Sequence, residues 1–331
     1  MASKNLLQEV ATQIGDYRKG EIDAPNLEHV DNWISQFEEK FRDPILRELE
    51  HVLQKTYISE RRVGAFLHEL ASHKDLTNGD PKKFWSEATV LDIQNNGSSQ
   101  REMRQMFREI VSEEHGVDID ESPDDGAVAI YVDDVVFSGG HVRGDLIRWI
   151  ERKSPEKVTI YIVALAYHLG GQYYAEQKIM EAAGNAGKDV KLRWMRIYEV
   201  EDRRFRINNS DVLRPTVIPD HELTKAYVKE LEIQGFPPLL RNPGGIGDAK
   251  FFSSEEGRNI LEQQFLIKGA EIRSQAPMLN DYQRPLGNMV LKTLGFGAVI
   301  ATFRNCPNNC PLALWASDPW YPLLPRRTNL R

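Results

Sequence analysis

Apolar positions recur with a helical period through the first 75 residues. Val30, Trp33, Ile34, Phe37 and Phe41 share one helical face, and Ile45, Leu46, Leu49, Val52 and Leu53 share another. Val63, Phe66, Leu67 and Leu70 mark a third helix. Asp43 and Pro44 have the residue types of an N-cap and a first helical position, which predicts that the second helix starts there. From residue 88 the pattern alternates. Apolar runs at 88–93, 127–132, 158–166 and 190–197 read as buried strands. Between them, Met103, Met106, Phe107, Ile110 and Val111 form a helical face closed by Gly116. A second helix, at about 142–152, presents Val142, Leu146, Ile147 and Ile150, and a third covers about 172–184. Strands separated by helices pair in parallel, so the pattern predicts an α/β fold with a doubly wound, mainly parallel sheet.

Beyond residue 199 the pattern loosens. Pro215, Pro219, Pro237-Pro238 and 242–247 (Asn-Pro-Gly-Gly-Ile-Gly) break the chain into turns. Ser254 has the residue type to cap a helix running to about 268. The runs 297–303 and 312–316 read as two strands of a hairpin-like unit around Cys306 and Cys310. The organisation expected is a helical N-terminal cap over 1–78, an α/β core over 79–198, and a C-terminal hood or lid over 199–331 packed on that core.

Composition narrows the class. With 331 residues, 41% hydrophobic and 27% charged, the chain can bury a sizeable core and is not a disordered one. No apolar run approaches the roughly 20 residues that span a bilayer, and the first residues lack an apolar signal core. Two cysteines without an export signal suggest a reducing compartment, hence the cytoplasm, and no membrane partner. The cysteines, spaced C-x₃-C without the ligand set of a structural zinc site, read as small buried residues. A net charge of −7 argues against attraction of the whole surface to nucleic acid. The local basic runs at 203–206 and 326–327 read either as solvated surface or as a partner contact.

The stretch 127–141, AVAIYVDDVVFSGGH, carries the densest chemistry. A buried strand runs into adjacent carboxylates, Asp133 and Asp134, then into Ser138, Gly139 and Gly140 before an amphipathic helix. Glycines let backbone amides close on an anion, and a helix N-terminus adds partial positive charge. In open α/β sheets, ligands lie beyond the carboxyl ends of strands. The same pair also suits a receiver-like or Rossmann-like sheet, where it holds a metal or caps the next helix.

The stretch resembles the ribose-phosphate loop of the phosphoribosyltransferases (type I fold): apolar residues, two acids, two apolar residues, then a small glycine-rich turn. The resemblance implies that Asp133 and Asp134 face the ribose hydroxyls of phosphoribosyl pyrophosphate, directly or beside Mg²⁺. It implies that Val136, Phe137, Ser138, Gly139, Gly140 and His141 hold the 5′-phosphate. Carboxylates accept from vicinal hydroxyls and are hard oxygen ligands for Mg²⁺. Phe137 and His141 stand where the pattern has Thr or Ser, so two hydroxyl donors are missing; His141 either replaces one or caps the helix.

By the same resemblance, pyrophosphate is expected at the turn after the first strand, on Gly97, Ser98, Ser99, Gln100 and Arg101. Ser99 is equally suited to an ordinary N-cap. Tyr167, His168 or Tyr174, after the third strand, are candidates to contact a base. His168 on a loop also reads as merely structural. The segment 112–125, where base-transferring relatives often carry a basic lid, has no Lys or Arg. A Lys or Arg reaching the crevice from the C-terminal region, for instance Arg203, Arg241 or Arg304, would favour chemistry.

The C-terminal text around Asn308-Asn309-Cys310-Pro311 and Trp320-Tyr321-Pro322 is similar to the phosphoribosyltransferase-like (PRTase-CE) proteins of bacterial conflict, antiviral and retron systems. That implies an effector acting at a ribose anomeric carbon on phosphoribosyl pyrophosphate or a nucleotide. The partners implied are a winged-helix DNA-binding protein or a reverse transcriptase and nucleic-acid complex; a homo-oligomer is compatible with both. The alternative is a non-catalytic nucleotide-sensing or partner-docking subunit.

Overall fold

A computed structural model describes residues 2–94, 99–276, 279–288, 293–295 and 297–327. In chain order the elements are α1 (Lys4–Gln13), α2 (Leu27–Ile34), α3 (Glu39–Thr56), β1 (Tyr57–Ile58), α4 (Glu60–Ala71), α5 (Lys74–Thr77), α6 (Pro81–Glu87), β2 (Thr89–Val90), α7 (Ser99–His115), β3 (Val128–Val136), α8 (Gly140–Arg152), β4 (Lys157–His168), α9 (Leu169–Asn185), β5 (Asp189–Met195) and β6 (Tyr198–Val200). A 3₁₀ turn (Arg204–Asn209), α10 (Glu222–Ile233), α11 (Glu255–Gln275), β7 (Gln283–Arg284), β8 (Gly287–Asn288), β9 (Ala301–Thr302) and α12 (Leu312–Trp315) follow.

The chain divides into two compact units, Met1–Glu60 with Val200–Arg331, and Arg61–Glu199. The second is mixed α/β around a mostly parallel five-stranded sheet. Its order is β2-β3-β4-β5, all parallel, with β6 also pairing β4. Ala129, Tyr131, Ile160, Ile162 and Ala164 bury one face of the sheet against Val142, Leu146, Trp149 and Ile150 of α8 and Ala175 and Ile179 of α9. Ile130, Val132, Val163 and Leu165 on the other face are also buried, which is why β3 and β4 read as unbroken apolar runs. Gly116, at φ +64, ends α7 as its spacing predicts.

The ladder runs further than the sequence suggests. β3 continues to Val136, with Asp133 opposite Ala164 and Val136 opposite Tyr167. The acid pair therefore lies inside a strand rather than after one, because Val135 and Val136 are apolar and extend the pairing.

In the other unit the N-terminal helices and the C-terminal segment share one core. Trp33 is buried and donates from Nε1 to the Ala313 carbonyl at 2.7 Å, while Phe37 meets Trp320 edge-on at 5.5 Å. β1 pairs in parallel with β9, Tyr57 opposite Ala301. Sequence patterning placed a boundary at 78, whereas packing places it at 60 because these long-range contacts bind α1 to α3 to residues beyond 200. Pro44 falls inside α3, and Asp43 accepts from the Ser3 amide at 2.8 Å instead of capping the helix. The expected 297–303 and 312–316 hairpin does not form: only Ala301–Thr302 is strand there, and Leu312–Trp315 is a helical turn. Cys306 and Cys310 are free and buried. Burial pushes the Cys306 thiol upward, leaving it protonated.

Candidate functional site

The acid pair occupies consecutive positions of β3, so its side chains leave opposite faces of the sheet. Asp133 is buried and Asp134 half-buried. Asp133 Oδ1 accepts from Ser99 Oγ at 2.6 Å and from the Asp134 amide at 2.9 Å. Tyr131 donates to Asp145 of α8 at 3.1 Å and lies 3.5 Å from Asp133 Oδ2. Asp134 Oδ1 accepts from the Val135 amide at 2.6 Å. Burial, then the neighbouring Asp134 carboxylate, raise Asp133 well above the usual carboxylate range, against the opposing pull of its donors. Among the described residues neither carboxylate has a Lys or Arg partner. The pair thus carries negative charge that a proton or an added cation would balance.

Residues 137–139 turn the chain into α8. Gly139 is the N-cap at φ +69, no side chain caps the helix, and no acid lies in its first turn. The first-turn amides of such a helix have no internal acceptor. Ser138 Oγ reaches the Gly140 amide only at 3.4 Å. Ser138 and His141 are exposed, and Val136 stays buried in the ladder. The turn is fixed from beneath. A Cβ on Gly139 would overlap the Gly171 carbonyl, and a Cβ on Gly171 would overlap the Phe137 carbonyl. Both positions therefore need glycine, and Gly139 also for its left-handed backbone. Sequence reasoning missed Gly171. Its signal was a second Gly-Gly pair, 170–171, opening the helix after the next strand as 139–140 opens α8.

The other candidates divide. Ser99 joins the acid pair. Gln100 is buried, and its Oε1 accepts from the Ile93 and Gln94 amides at 3.0 and 2.8 Å, so it ties the first turn of α7 to the residues just after β2. Arg101 is exposed on α7. Gly97 and Ser98 lie outside the described residues. His168 ends β4 rather than sitting on a loop, buried with its ring edge-on to Phe137 at 5.2 Å. Tyr167 is buried too. Its hydroxyl donates to Glu199 at 2.8 Å and its ring packs on Trp194 at 5.4 Å, so both its polar end and its ring are engaged. Tyr174 is exposed, and Arg143, one turn into α8, lies 5.3 Å over its ring.

The acidic segment 112–125 begins as the last turn of α7, and Asp118 and Asp120 fold back onto that helix. Arg108 pairs with Asp118 at 2.7 Å and Asp120 at 2.8 Å, and holds the Asp118 carboxyl down at about 2. Thr89 Oγ1 donates to the Pro123 carbonyl at 2.6 Å, pinning the segment beside the N-terminal end of β2. Two of the three arginines suggested as replacement cations are engaged within their own unit. Arg241 is buried between Glu255 and Glu262, both at 2.9 Å, and Arg203 pairs with Glu201. Arg304 is buried.

Two carboxylates and a polar turn suit a hard cation that keeps waters or shares phosphate oxygens, which is the habit of Mg²⁺. No three His, Cys, Asp or Glu side chains among the described residues form a metal cage. No helix among them is long and apolar enough to cross a membrane.

No curated protein and no solved structure matches the chain. A family model does: PRTase-CE matches residues 30–326, which include the sheet, the acid pair, the α8 turn and most of the C-terminal segment. The strand, acids, glycine turn and helix are thus set within a family whose model reaches across both compact units, and the chain belongs to that family as a phosphoribosyltransferase-like protein.

Proposed function

We propose that the protein binds a 5-phosphorylated ribose, as phosphoribosyl pyrophosphate or a nucleotide, with Mg²⁺, and acts at the anomeric carbon. The observation that carries this is the continuity of β3 into α8: two carboxylates without a basic partner among the described residues, then, five residues past Asp134, Gly139 at the uncapped start of a helix. The amides of 138–141 take the 5′-phosphate. Asp134, the more accessible acid, accepts from ribose hydroxyls, and Asp133, braced by Ser99, keeps the local potential negative where positive charge develops on the ribose ring. Mg²⁺ would share the carboxylates with pyrophosphate oxygens and offset their mutual repulsion. Ser99 and Arg101 lie at the turn proposed for pyrophosphate.

A sensor reading has its own support. The segment before β3 carries no Lys or Arg and is pinned by Arg108 and Thr89, so it supplies no closing lysine or arginine. Binding without turnover is the alternative. We assign the protein an effector role in bacterial antiviral defence, carried by its sequence resemblance, with a winged-helix or reverse-transcriptase partner.

Incubating purified protein and Mg²⁺ with phosphoribosyl pyrophosphate, and following pyrophosphate release by phosphorus NMR, separates the readings. Turnover lost in Asp134→Asn supports the enzyme. Saturable binding without turnover supports the sensor. No binding refutes both. Loss of phage protection in the same variant tests the effector role.

A further inference from the structure

The unit formed by Met1–Glu60 and Val200–Arg331 holds two arginines that the ribose-phosphate reading does not use. Arg284 ends β7 and is 4% exposed. Its Nη1 donates to the Thr293 carbonyl at 3.0 Å, and its Nε has no partner among the described residues. Thr293 is 3% exposed, and its Oγ1 has no partner there either. Tyr227 of α10 donates to the same carbonyl at 3.4 Å. Arg273 of α11 lies 5.5 Å over the Tyr227 ring and donates to the Asn280 and Gln283 carbonyls. Burial pushes the Tyr227 hydroxyl upward against the pull of the Arg273 and Arg284 charges, so both guanidinium groups stand close to it.

Among the described residues no carboxylate answers these charges: the partners of both arginines are carbonyls and the Tyr227 side chain. Glu271, on the same helix as Arg273, is taken by Lys268 at 2.8 Å and His221 at 3.4 Å. A buried cation is costly unless it is paired and fully hydrogen-bonded. Arg241 and Arg258, as deeply buried in this unit, meet that demand with Glu255 and Glu262. Arg284 does not. It combines a buried positive charge with an unused N–H donor, and a buried hydroxyl without a partner sits on the residue it already holds. Unsatisfied buried donors of this kind call for an acceptor, and a charged one suits a guanidinium best.

We infer that Arg284, Thr293 and Arg273 form a binding site for a small inorganic oxyanion of the phosphate class, with Arg284 Nε and Thr293 Oγ1 donating to its oxygens and Arg273 completing the charge balance. A guanidinium fork and a hydroxyl offer donors at several points, which a multi-oxygen anion meets together and a halide does not. Arg284 and Thr293 are too deeply buried to admit an ester group, so the ligand is the free ion. The site belongs to a different unit from the α8 turn and stands or falls apart from the function proposed for that turn.

The test titrates inorganic phosphate into the full chain by calorimetry, in chloride buffer of matched ionic strength. Wild type should bind phosphate saturably. Thr293→Val keeps the shape and removes the hydroxyl, and should weaken that binding about tenfold, the loss of one bond to a charged acceptor. Since the hydroxyl has no partner in the free protein, the same variant without phosphate should unfold in urea at the wild-type midpoint or above it. Arg284→Met should abolish binding at this site. In ¹⁵N-arginine-labelled protein, the Nε–H signal missing from Arg284→Met should shift in wild type as phosphate is added. Should Arg284→Met fail to fold, Thr293→Val decides alone. Phosphate held at the α8 turn would survive both substitutions. Binding that neither substitution changes, or wild type that ignores phosphate, therefore overturns the inference. A lowered urea midpoint in Thr293→Val without phosphate also overturns it, because the hydroxyl would then have a partner within the fold.

Discussion

Ser99 Oγ donates to Asp133 Oδ1 at 2.6 Å, tying the first turn of α7 to the centre of β3 across 34 positions of sequence. The bond fixes which oxygen of Asp133 is occupied and holds the start of α7 beside the acids. Ser99→Ala should cost about 1–3 kcal/mol of stability, the usual range for a buried bond to a charged or partly charged acceptor. Urea unfolding at neutral pH measures it. Ser99→Thr, which keeps the hydroxyl, should recover most of the loss.

The buried, like-charged setting of Asp133 has a pH consequence. Its carboxyl is raised to about 7 in the fold, against about 3.9 in an unfolded chain. A raised acid favours the folded state most below its unfolded value, and that contribution is lost as pH rises through about 7. Asp133→Asn, a neutral mimic, should remove the effect. The stability of wild type relative to the variant should fall between pH 4 and pH 8, by about 1.4 kcal/mol for each unit separating the two states. Parallel pH–stability curves from urea midpoints would contradict it. Mg²⁺ affinity should show the opposite trend and weaken below about pH 7, where protons compete.

The Gly139 and Gly171 contact makes a third expectation. Alanine at either position drives a methyl into a neighbouring carbonyl, and at Gly139 it also meets a left-handed backbone. Each should lower stability by about 1–3 kcal/mol and weaken ribose 5-phosphate binding at least tenfold. Gly187, also at positive φ but with open space around it, is the control. There alanine should cost about 1 kcal/mol and leave binding alone. Thermal unfolding and calorimetry read both quantities.

Arg241 separates a structural cation from a substrate cation. It is buried with Glu262, which also accepts from Arg258 at 2.7 Å and from the Arg214 amide at 2.9 Å. Arg241→Met leaves Glu262 with Arg258 as its salt-bridge partner and takes the Arg241 partner from Glu255, and should cost at most about 3–5 kcal/mol, the range for breaking a buried pair. A variant of normal stability that had lost phosphoribosyl pyrophosphate binding would show that Arg241 serves the ligand instead.

Elements with one buried face were legible in the sequence. α7 and α8 follow from the spacing of Met103, Phe107, Val142 and Leu146. Segments buried all round were not. Leu312–Trp315 is wholly buried, so it shows neither a helical nor an alternating period, and tertiary packing makes it a turn of helix. The end of β3 was misplaced because a charged pair normally stops a buried strand, yet Asp133 is held inside by Ser99 and the Asp134 amide. The acid pair and glycine turn were visible as residue types. Gly171 was not, since its role arises only when β4 brings it beneath Phe137. The division of the chain was hidden for the same reason: nothing local in α2 indicates that Trp33 meets Ala313.

We propose that the turn from β3 to α8 cradles the phosphate of a ribose held by Asp134. Titrating ribose 5-phosphate with Mg²⁺ into ¹⁵N-labelled protein tests it most directly. The account predicts saturable shifts concentrated on the amides of Ser138, Gly139, Gly140 and His141, weakened at least tenfold in Asp134→Asn. Shifts that are absent, or that cluster elsewhere and ignore that substitution, would contradict it.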